Sequence, residues 1–349
     1  MMNIRNLGHR LHTGQTSINF IGRRKLLYAL SGLLLLASVV GLGVRGLSFG
    51  IEFSGGSVYT VAAPQVSADQ ARHAIDEITH DSTAVVQSTD NGQVRIQVSS
   101  HEKSDPQQMV GELSQRLGVP AEDINTQIVG PSWGKEISEK AAYGLAIFMA
   151  LVTVYLAIAF EWRMAMAALV ALVHDLVITV GIYALVGFEV TPGTVIGFLT
   201  ILGYSLYDTV VVFDGVKEST RGLAKQNRRT YSEVANHALN RTLVRSVNTT
   251  VLALLPVAAL LFIGGGMLGA GTLNDIALAL FIGLAVGAYS SICLATPFLA
   301  QLKERQPQFR ALAAKVARAR SDAAAAADND GVDSAGPAPA PVLAERRST

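Results

Sequence analysis

An acidic side chain lies inside a long apolar stretch of this sequence. Asp208 stands in ILGYSLYDTVVVFDG, residues 201–215, where most other side chains are hydrophobic or small. A charged group within a membrane-spanning helix costs several kcal/mol, about 2.5–3.5 on insertion scales, and such groups most often serve proton or ion transport. Asp208 therefore predicts a proton-binding site within a membrane. Asp214, at the end of the same stretch, is interpreted as a solvated end group.

A second acidic residue, Asp175, follows His174 near the middle of another apolar stretch. Two carboxyl groups on adjacent helices, with a histidine nearby, can form a proton relay. Arg241 and Arg245 are four residues apart, so they share one face if their segment is helical. Because arginine keeps its proton, we expect Arg241 to be the counter-charge that forms an ion pair with Asp208 and not the proton carrier.

Each of these residues also has a structural interpretation. The two aspartates can be hydrogen-bonded to tyrosine or threonine across helices. The two arginines can be anchors whose stems lie along the membrane while their charges reach water. The sequence leaves both interpretations open. Four small residues predict close contacts between helices: Gly203, Ser205, Gly283 and Gly287.

The distribution of charge indicates the class of protein. Half of the 349 residues are hydrophobic and 16% are charged, and the charges cluster between long apolar runs. This pattern is typical of a polytopic membrane protein. The net charge of +1 gives no argument for a nucleic-acid partner. Six runs can cross about 30 Å of hydrocarbon as helices: 26–44, 141–160, 165–186, 193–214, 247–263 and 276–300.

Lysine and arginine predict the orientation of these helices. With six crossings, the N-terminal segment 1–25, the basic links after the second and fourth helices, and the tail 303–349 fall on one side. The opposite hairpins, 187–192 and 264–275, contain neither lysine nor arginine. The basic side is therefore predicted to be cytoplasmic, with both termini there. The first run, 26–44, is expected to be an uncleaved helix.

Residues 45–138 are too long for a simple loop and predict an extracytoplasmic domain. Strands are predicted at 51–63, 83–88, 93–99 and 124–129, and helices at 67–80 and 105–117. The order β-α-β-β-α-β is the ferredoxin-like, split βαβ arrangement of an α+β domain. Gly55-Gly56 predicts a bulge or a sharp bend and not a ligand cradle. The domain has no pattern of a metal cluster, nucleophile elbow or phosphate loop, so we predict neither an enzyme nor a cofactor.

Residues 139–302 contain helices two to six, and the tail after them is predicted to be mostly disordered. From about Ser321 the tail is rich in Ala, Asp, Pro and Ser and cannot bury enough apolar surface to fold. The preceding segment, 309–320, is basic and predicts a helix. That helix either lies on anionic lipid or is a solvated helix end.

Several motifs together resemble one family, the SecD/SecF family of the resistance-nodulation-division superfamily, over about residues 18–302. Four of them are LSFGIEFSGG (47–56), VGPSWGKEI (129–137), FEWRMAMAALVALVHD (160–175) and GYSLYDTVVVFDGVKE (203–218). A fifth is LNRTLVRSVNTT, residues 239–250. By position, Asp208 matches the family's membrane aspartate and Arg241 its paired arginine. Gly215 stands where the family usually has an arginine.

The resemblance implies half of an RND-type transporter in the bacterial inner (cytoplasmic) membrane. It implies an auxiliary subunit of the Sec protein translocase that uses the proton-motive force to move unfolded preproteins. The resemblance assigns the proton site to Asp208 with Arg241 as its paired arginine, and Asp175, from its place in the sequence, is the third candidate member of the proton relay. The implied partners are SecD, the SecYEG channel, the ATPase SecA and membrane lipid, with YajC and YidC-like proteins as further candidates.

Two other classes of function stay open at this point. One is an assembly subunit that stabilises the translocon without proton coupling. The other is half of a small-molecule efflux pump, although such pumps usually fuse both halves and have much larger outer domains. Neutralising Asp208 separates the first class from a proton-coupled one, because only the coupled subunit loses export while its complex still assembles.

Overall fold

The computed structural model describes residues 17–63, 65–79, 84–88, 92–99, 105–226, 228–265 and 271–333. The helices are α1 (Arg24–Arg45), α2 (Ile51–Ser54), α3 (Ala68–Thr79), α4 (Pro106–Leu117), α5 (Pro131–Ala159), α6 (Trp162–Val186), α7 (Pro192–Ser219), α8 (Tyr231–Ala259), α9 (Gly271–Ser290), α10 (Thr296–Glu304) and α11 (Pro307–Asp333). The strands are β1 (Ser48–Phe49), β2 (Gly56–Val61), β3 (Val85–Ser88), β4 (Val94–Ser99), β5 (Ile124–Val129) and β6 (Glu189–Val190).

Within the described ranges, six helical segments are long and apolar enough to cross a membrane. They are α1, α5, α6, α7, α8 and the continuous segment formed by α9 and α10, so the predicted number of spans is confirmed. A π-helical segment, Ser291–Ala295, joins α9 to α10. The fifth predicted span, 247–263, looked short and an extension by neighbouring residues was expected; α8 begins at Tyr231. Its earlier start follows from a capping box between Thr230 and Glu233.

Glycines on α9 and α7 allow these two helices to pack closely. A Cβ atom added to Gly283 would lie 2.1 Å from Ile201 Cδ1, and one added to Gly287 would lie 3.0 Å from Ser205 Cβ. The predicted contacts at Gly283 and Gly287 are therefore confirmed. The prediction for Gly203 was wrong, because a Cβ added there meets no heavy atom within 4 Å.

We expect Gly283→Val to destabilise the helix bundle by about 1–3 kcal/mol, because the added methyl groups overpack a filled contact. Gly203→Val is the matched control, since it makes the same change in helix propensity on α7 in open space. The measurement is the thermal unfolding midpoint of the purified chain in detergent. Equal midpoints for the two variants would contradict the packing argument.

The α+β domain contains a four-stranded antiparallel sheet in the order β3-β4-β2-β5. This order agrees with the predicted split βαβ arrangement. Its core contains Val61, Ile75, Ile96 and Leu113, which are fully buried between the sheet and the helices α3 and α4. Both predicted helix starts are confirmed. The Ser67 hydroxyl accepts from the amide of Gln70, and the Asp105 carboxylate accepts from the amide of Gln107.

The first strand of this domain is shorter than predicted. Residues 51–54 form the single helical turn α2, and β2 begins only at Gly56. Gly55 and Gly56 have φ angles of +73° and +138°, which residues with a Cβ atom rarely adopt. The two glycines therefore form the predicted sharp bend, and this bend ends the helical turn and starts the strand.

The α+β domain contacts the helix bundle through polar groups at one edge. Arg95 Nη1 on β4 lies 2.7 Å from Glu189 Oε2, in the connection between α6 and α7. Gln97 Nε2 donates to the carbonyl of Phe49 at 3.1 Å. The two-residue strands β1 and β6 pair in parallel, with Ser48 opposite Glu189. Glu189 therefore connects the domain to the bundle through both its side chain and its backbone.

Burial raises the pKa of Glu189, the charges of Glu52 and Asp275 add to this rise, and Arg95 opposes it. A raised pKa means that the folded chain binds a proton more tightly than the unfolded chain, so this contribution to stability is lost as pH rises through the raised value. We expect the thermal midpoint to fall as pH rises above 4.5, the ordinary pKa of a glutamate, and Glu189→Gln to flatten this fall. The exposed Glu122→Gln is the control, and an unchanged slope for Glu189→Gln would refute the prediction.

The tail contains more structure than predicted. The predicted basic helix exists as part of α11, and its side chains Phe309, Leu312 and Val316 are buried in the same core cluster as Tyr231. This face therefore packs on the protein and neither on lipid nor in solvent. Residues 321–333, which were predicted to be disordered, continue the same helix. The remaining predictions for residues 1–16 and 334–349 lie outside the described residues.

Candidate functional site

Asp208 lies on α7 and is almost fully buried, with 6% of its surface exposed. Its carboxylate accepts two hydrogen bonds from serines on other helical segments. Ser246 Oγ on α8 donates to Oδ1 at 2.7 Å, and Ser291 Oγ in the π-helical segment donates to Oδ2. Asp208 therefore joins three helical segments inside the bundle, and no cationic side chain among the described residues pairs with it.

Asp175 lies on α6 and is fully buried. Its Oδ2 accepts from Ser205 Oγ on α7 at 2.5 Å and from Ser290 Oγ at the end of α9 at 2.7 Å. Its Oδ1 lies 3.0 Å from Nδ1 of the preceding His174. Hydroxyl groups from two other helices therefore surround this carboxyl in the same way as that of Asp208.

Consecutive serines connect the two carboxyl groups. Ser290 binds Asp175 on α6, and Ser291 binds Asp208 on α7. Successive residues of a helix point about 100° apart, so neighbouring serines can face two different helices. The π-helical segment begins at Ser291, and π-bulges often occur at functional sites. The last membrane segment thus bridges both predicted proton-binding residues.

The predicted ion pair between Asp208 and Arg241 is not formed in this structure. Among the described residues, the hydrogen-bond partners of the Asp208 carboxylate are the two serines, and the Arg241 and Arg245 side chains are exposed. Both arginines line a separate polar cavity. The roles of Asp208, Arg241 and Asp175 in proton transfer stay predictions.

This polar cavity, of about 1350 Å³, lies at the end of the bundle that was predicted to face the cytoplasm. It contains charges of both signs, including Asp214 and Glu218 together with the two arginines. Its walls extend along α8 as far as Thr249 and Leu252, past the position of Ser246. This polar cavity therefore reaches the helix level at which Ser246 binds Asp208.

The sequence did not indicate the four serines of the site. Ser205 was interpreted only as a small contact residue, and no role was predicted for Ser246, Ser290 or Ser291. A serine pair within the apolar run 276–300 was the available signal, because hydroxyl groups inside membrane helices commonly bond across helices. The sequence could not show how each helix is rotated about its axis, and this rotation decides which serines face the carboxyl groups.

Comparisons with known proteins identify the family. Residues 109–305 match the family described as "Protein export membrane protein SecD/SecF, C-terminal", and residues 40–63 match the "SecD/SecF GG Motif". The chain belongs to the SecD/SecF family. It is 57% identical over 325 residues to a "Protein translocase subunit SecF" from Streptomyces coelicolor, which covers 93% of this chain and 87% of that protein.

One more distant relative has the same printed name, and a similar solved structure is that of SecDF. A "Protein translocase subunit SecF" from Mycobacterium tuberculosis is 37% identical over 353 residues, covering 96% of this chain and 79% of that protein. The crystal structure of SecDF, a translocon-associated membrane protein from Thermus, matches with a TM-score of 0.73 at 30% identity. That match covers 83% of this chain but only 39% of the SecDF chain. The chain is thus a membrane protein of the SecF type.

Proposed function

We propose that this chain acts with SecD in the bacterial cytoplasmic membrane to drive preproteins outward with the proton-motive force. The observation that carries the proposal is the pair of buried carboxyl groups, Asp175 and Asp208, which are connected through consecutive serines of one helix. Among the described residues, Asp175 and Asp208 are the two acidic residues that are almost fully buried, at 0% and 6% exposure.

Serine partners suit a carboxyl group that must gain and lose a proton. A hydroxyl group can donate to a carboxylate and can also accept from a protonated carboxyl. Asp208 can therefore keep both of its partners, Ser246 and Ser291, in either protonation state. A permanent arginine partner would favour the charged form alone. Arg241 and Arg245 lie instead in the adjoining cavity, where they can form a transient counter-charge for a proton that leaves toward the cytoplasm.

Protonation can be converted into movement because these hydrogen bonds connect different helices. Loss of the negative charge on Asp208 weakens charge-assisted bonds to α8 and to the π-helical segment, and such bonds are roughly twice as strong as neutral ones. The close contact of α9 with α7 at Gly283 transmits a shift of either helix. Arg95 and Glu189 then link the bundle to the α+β domain, which we propose to hold or move the emerging chain.

A SecD-type protein is the expected partner, because this chain corresponds to only 39% of the SecDF chain that it resembles. We propose that SecD supplies the remaining half of the transporter and that the pair acts on preproteins delivered by SecYEG and SecA. YajC and YidC-like proteins are proposed as additional members of the assembly.

The test uses inverted membrane vesicles that contain the channel, SecD and this chain. ATP starts the translocation of a preprotein, an ATP-consuming enzyme then removes ATP, and a respiratory substrate supplies the proton-motive force. We expect translocation to resume only in vesicles with the chain, and an uncoupler to abolish it. A benefit of the chain that is equal with and without the uncoupler would instead support the assembly subunit.

A further inference from the structure

A second cavity, of about 650 Å³, lies between α1, α6 and the last membrane segment. Its walls are mostly apolar, with Leu35, Leu169, Val170, Val173, Leu294 and Phe298, and they also include Ser31 and Gln301. Val170 and Val173 are exposed on a helix long and apolar enough to cross a membrane, so the cavity opens at the outer surface of the helix bundle. The volume falls within the range of about 300–1,000 Å³ that is typical of small-molecule sites.

Two polar atoms of this cavity have no hydrogen-bond partner within the described part of the chain. His174 lines the wall and is 97% buried, at 3% exposure, and its Nε2 atom is unpaired. The hydroxyl oxygen of Tyr28 is also buried and unpaired. Buried polar groups are nearly always satisfied, so each unpaired one calls for an explanation. A ligand with a polar group would satisfy these atoms.

The neighbours of His174 determine which polar group fits. Two serines bind Oδ2 of Asp175, and Nδ1 of His174 lies 3.0 Å from Oδ1 of the same residue, so we assign the tautomer in which Nδ1 donates to this oxygen. A neutral imidazole that donates through Nδ1 has a lone pair on Nε2. This atom therefore requires a hydrogen-bond donor. The apolar walls exclude a charged donor, so the matching group is an uncharged hydroxyl.

We infer that this cavity, which we call the His174 pocket, binds an uncharged membrane-soluble hydrophobe whose hydroxyl group donates to His174 Nε2. The hydrocarbon part of the ligand contacts Val170, Val173 and Phe298. The pocket is distinct from the polar cavity that contains Arg241. Ligand binding does not depend on preprotein translocation, so it can be tested even if the proposed function fails.

The probe is a long-chain alcohol with a photoreactive diazirine in its chain, added to the purified full-length chain in lipid nanodiscs. After irradiation, mass spectrometry locates the labelled peptides. We expect saturable labelling on α1, α6 and α10. Unlabelled hexadecanol should compete, whereas its methyl ether, which cannot donate a hydrogen bond, should compete about 3- to 10-fold less well.

Two variants test the site from independent directions. Val170→Trp fills the pocket and is expected to abolish saturable labelling, while Val39→Trp, on the exposed face of α1 outside the pocket, keeps it. His174→Phe removes the acceptor and is expected to lower labelling about 3- to 10-fold. If His174→Phe does not fold, the Val170→Trp result and the ether comparison decide. Labelling that is unsaturable, spread evenly over lipid-facing residues, or equally sensitive to the ether overturns the inference.

Discussion

We expect Asp208→Asn to abolish proton-driven translocation while ATP-driven translocation continues. One elementary charge that crosses 100 mV is worth about 2.3 kcal/mol, so uncoupling a single proton removes a bias of up to about 50-fold. Asparagine has nearly the same shape as the protonated carboxyl. Its amide oxygen can accept from one serine and its NH₂ group can donate to the other, so both Ser246 and Ser291 keep a partner.

The measurement combines proton flux into vesicles that contain the chain and SecD with the ATP-removal translocation assay. Asp214→Asn is the matched control, because Asp214 lies on the same helix but is exposed in the polar cavity. We expect the control to retain flux and translocation. If Asp208→Asn retained both activities, proton coupling through this residue would be excluded. If it abolished co-purification with SecD, the residue would be assigned to assembly.

The membrane spans and most of the sheet could be predicted because their signals are local. Hydropathy over a window of helix length is enough to identify a span, and the alternation in residues 93–99 is enough to predict β4. Caps are equally local, as Ser67 with Gln70 and Asp105 demonstrate. The start of α8 was missed although Thr230 and Glu233 form the same kind of cap.

The geometry of the site could not be predicted because it depends on contacts between distant segments. Asp208 and Ser291 are separated by 83 positions, and Asp175 and Ser290 by 115. The apolar faces of the membrane helices do not determine how each helix is rotated, because lipid and protein interior are similarly apolar. The sequence therefore indicated which residues carry charge, and the structure added the serines that bind them. The packing of the tail helix was missed for a related reason, since Phe309 and Leu312 are buried in a core cluster made by distant parts of the chain.

Asp175 has either a role in proton transfer or a structural role, and two substitutions distinguish these possibilities. Asp175→Leu leaves His174, Ser205 and Ser290 without their buried partner, and each lost partner costs about 1–3 kcal/mol. We expect this variant to fold poorly whatever the function of the residue. Asp175→Asn keeps the shape and can bond to the same three neighbours. We therefore expect this variant to fold, so that any loss of activity reports only the loss of proton binding at residue 175.

If Asp175 and Asp208 form one relay, Asp175→Asn loses proton flux and proton-driven translocation to the same extent as Asp208→Asn. The double variant then loses no more than either single variant, because groups that act as a unit are not additive. Normal flux in a well-folded Asp175→Asn protein would instead assign Asp175 to packing. In that case Ser290 and Ser291 would no longer connect two proton-binding groups, and Asp208 with its two serines would have to carry the coupling alone.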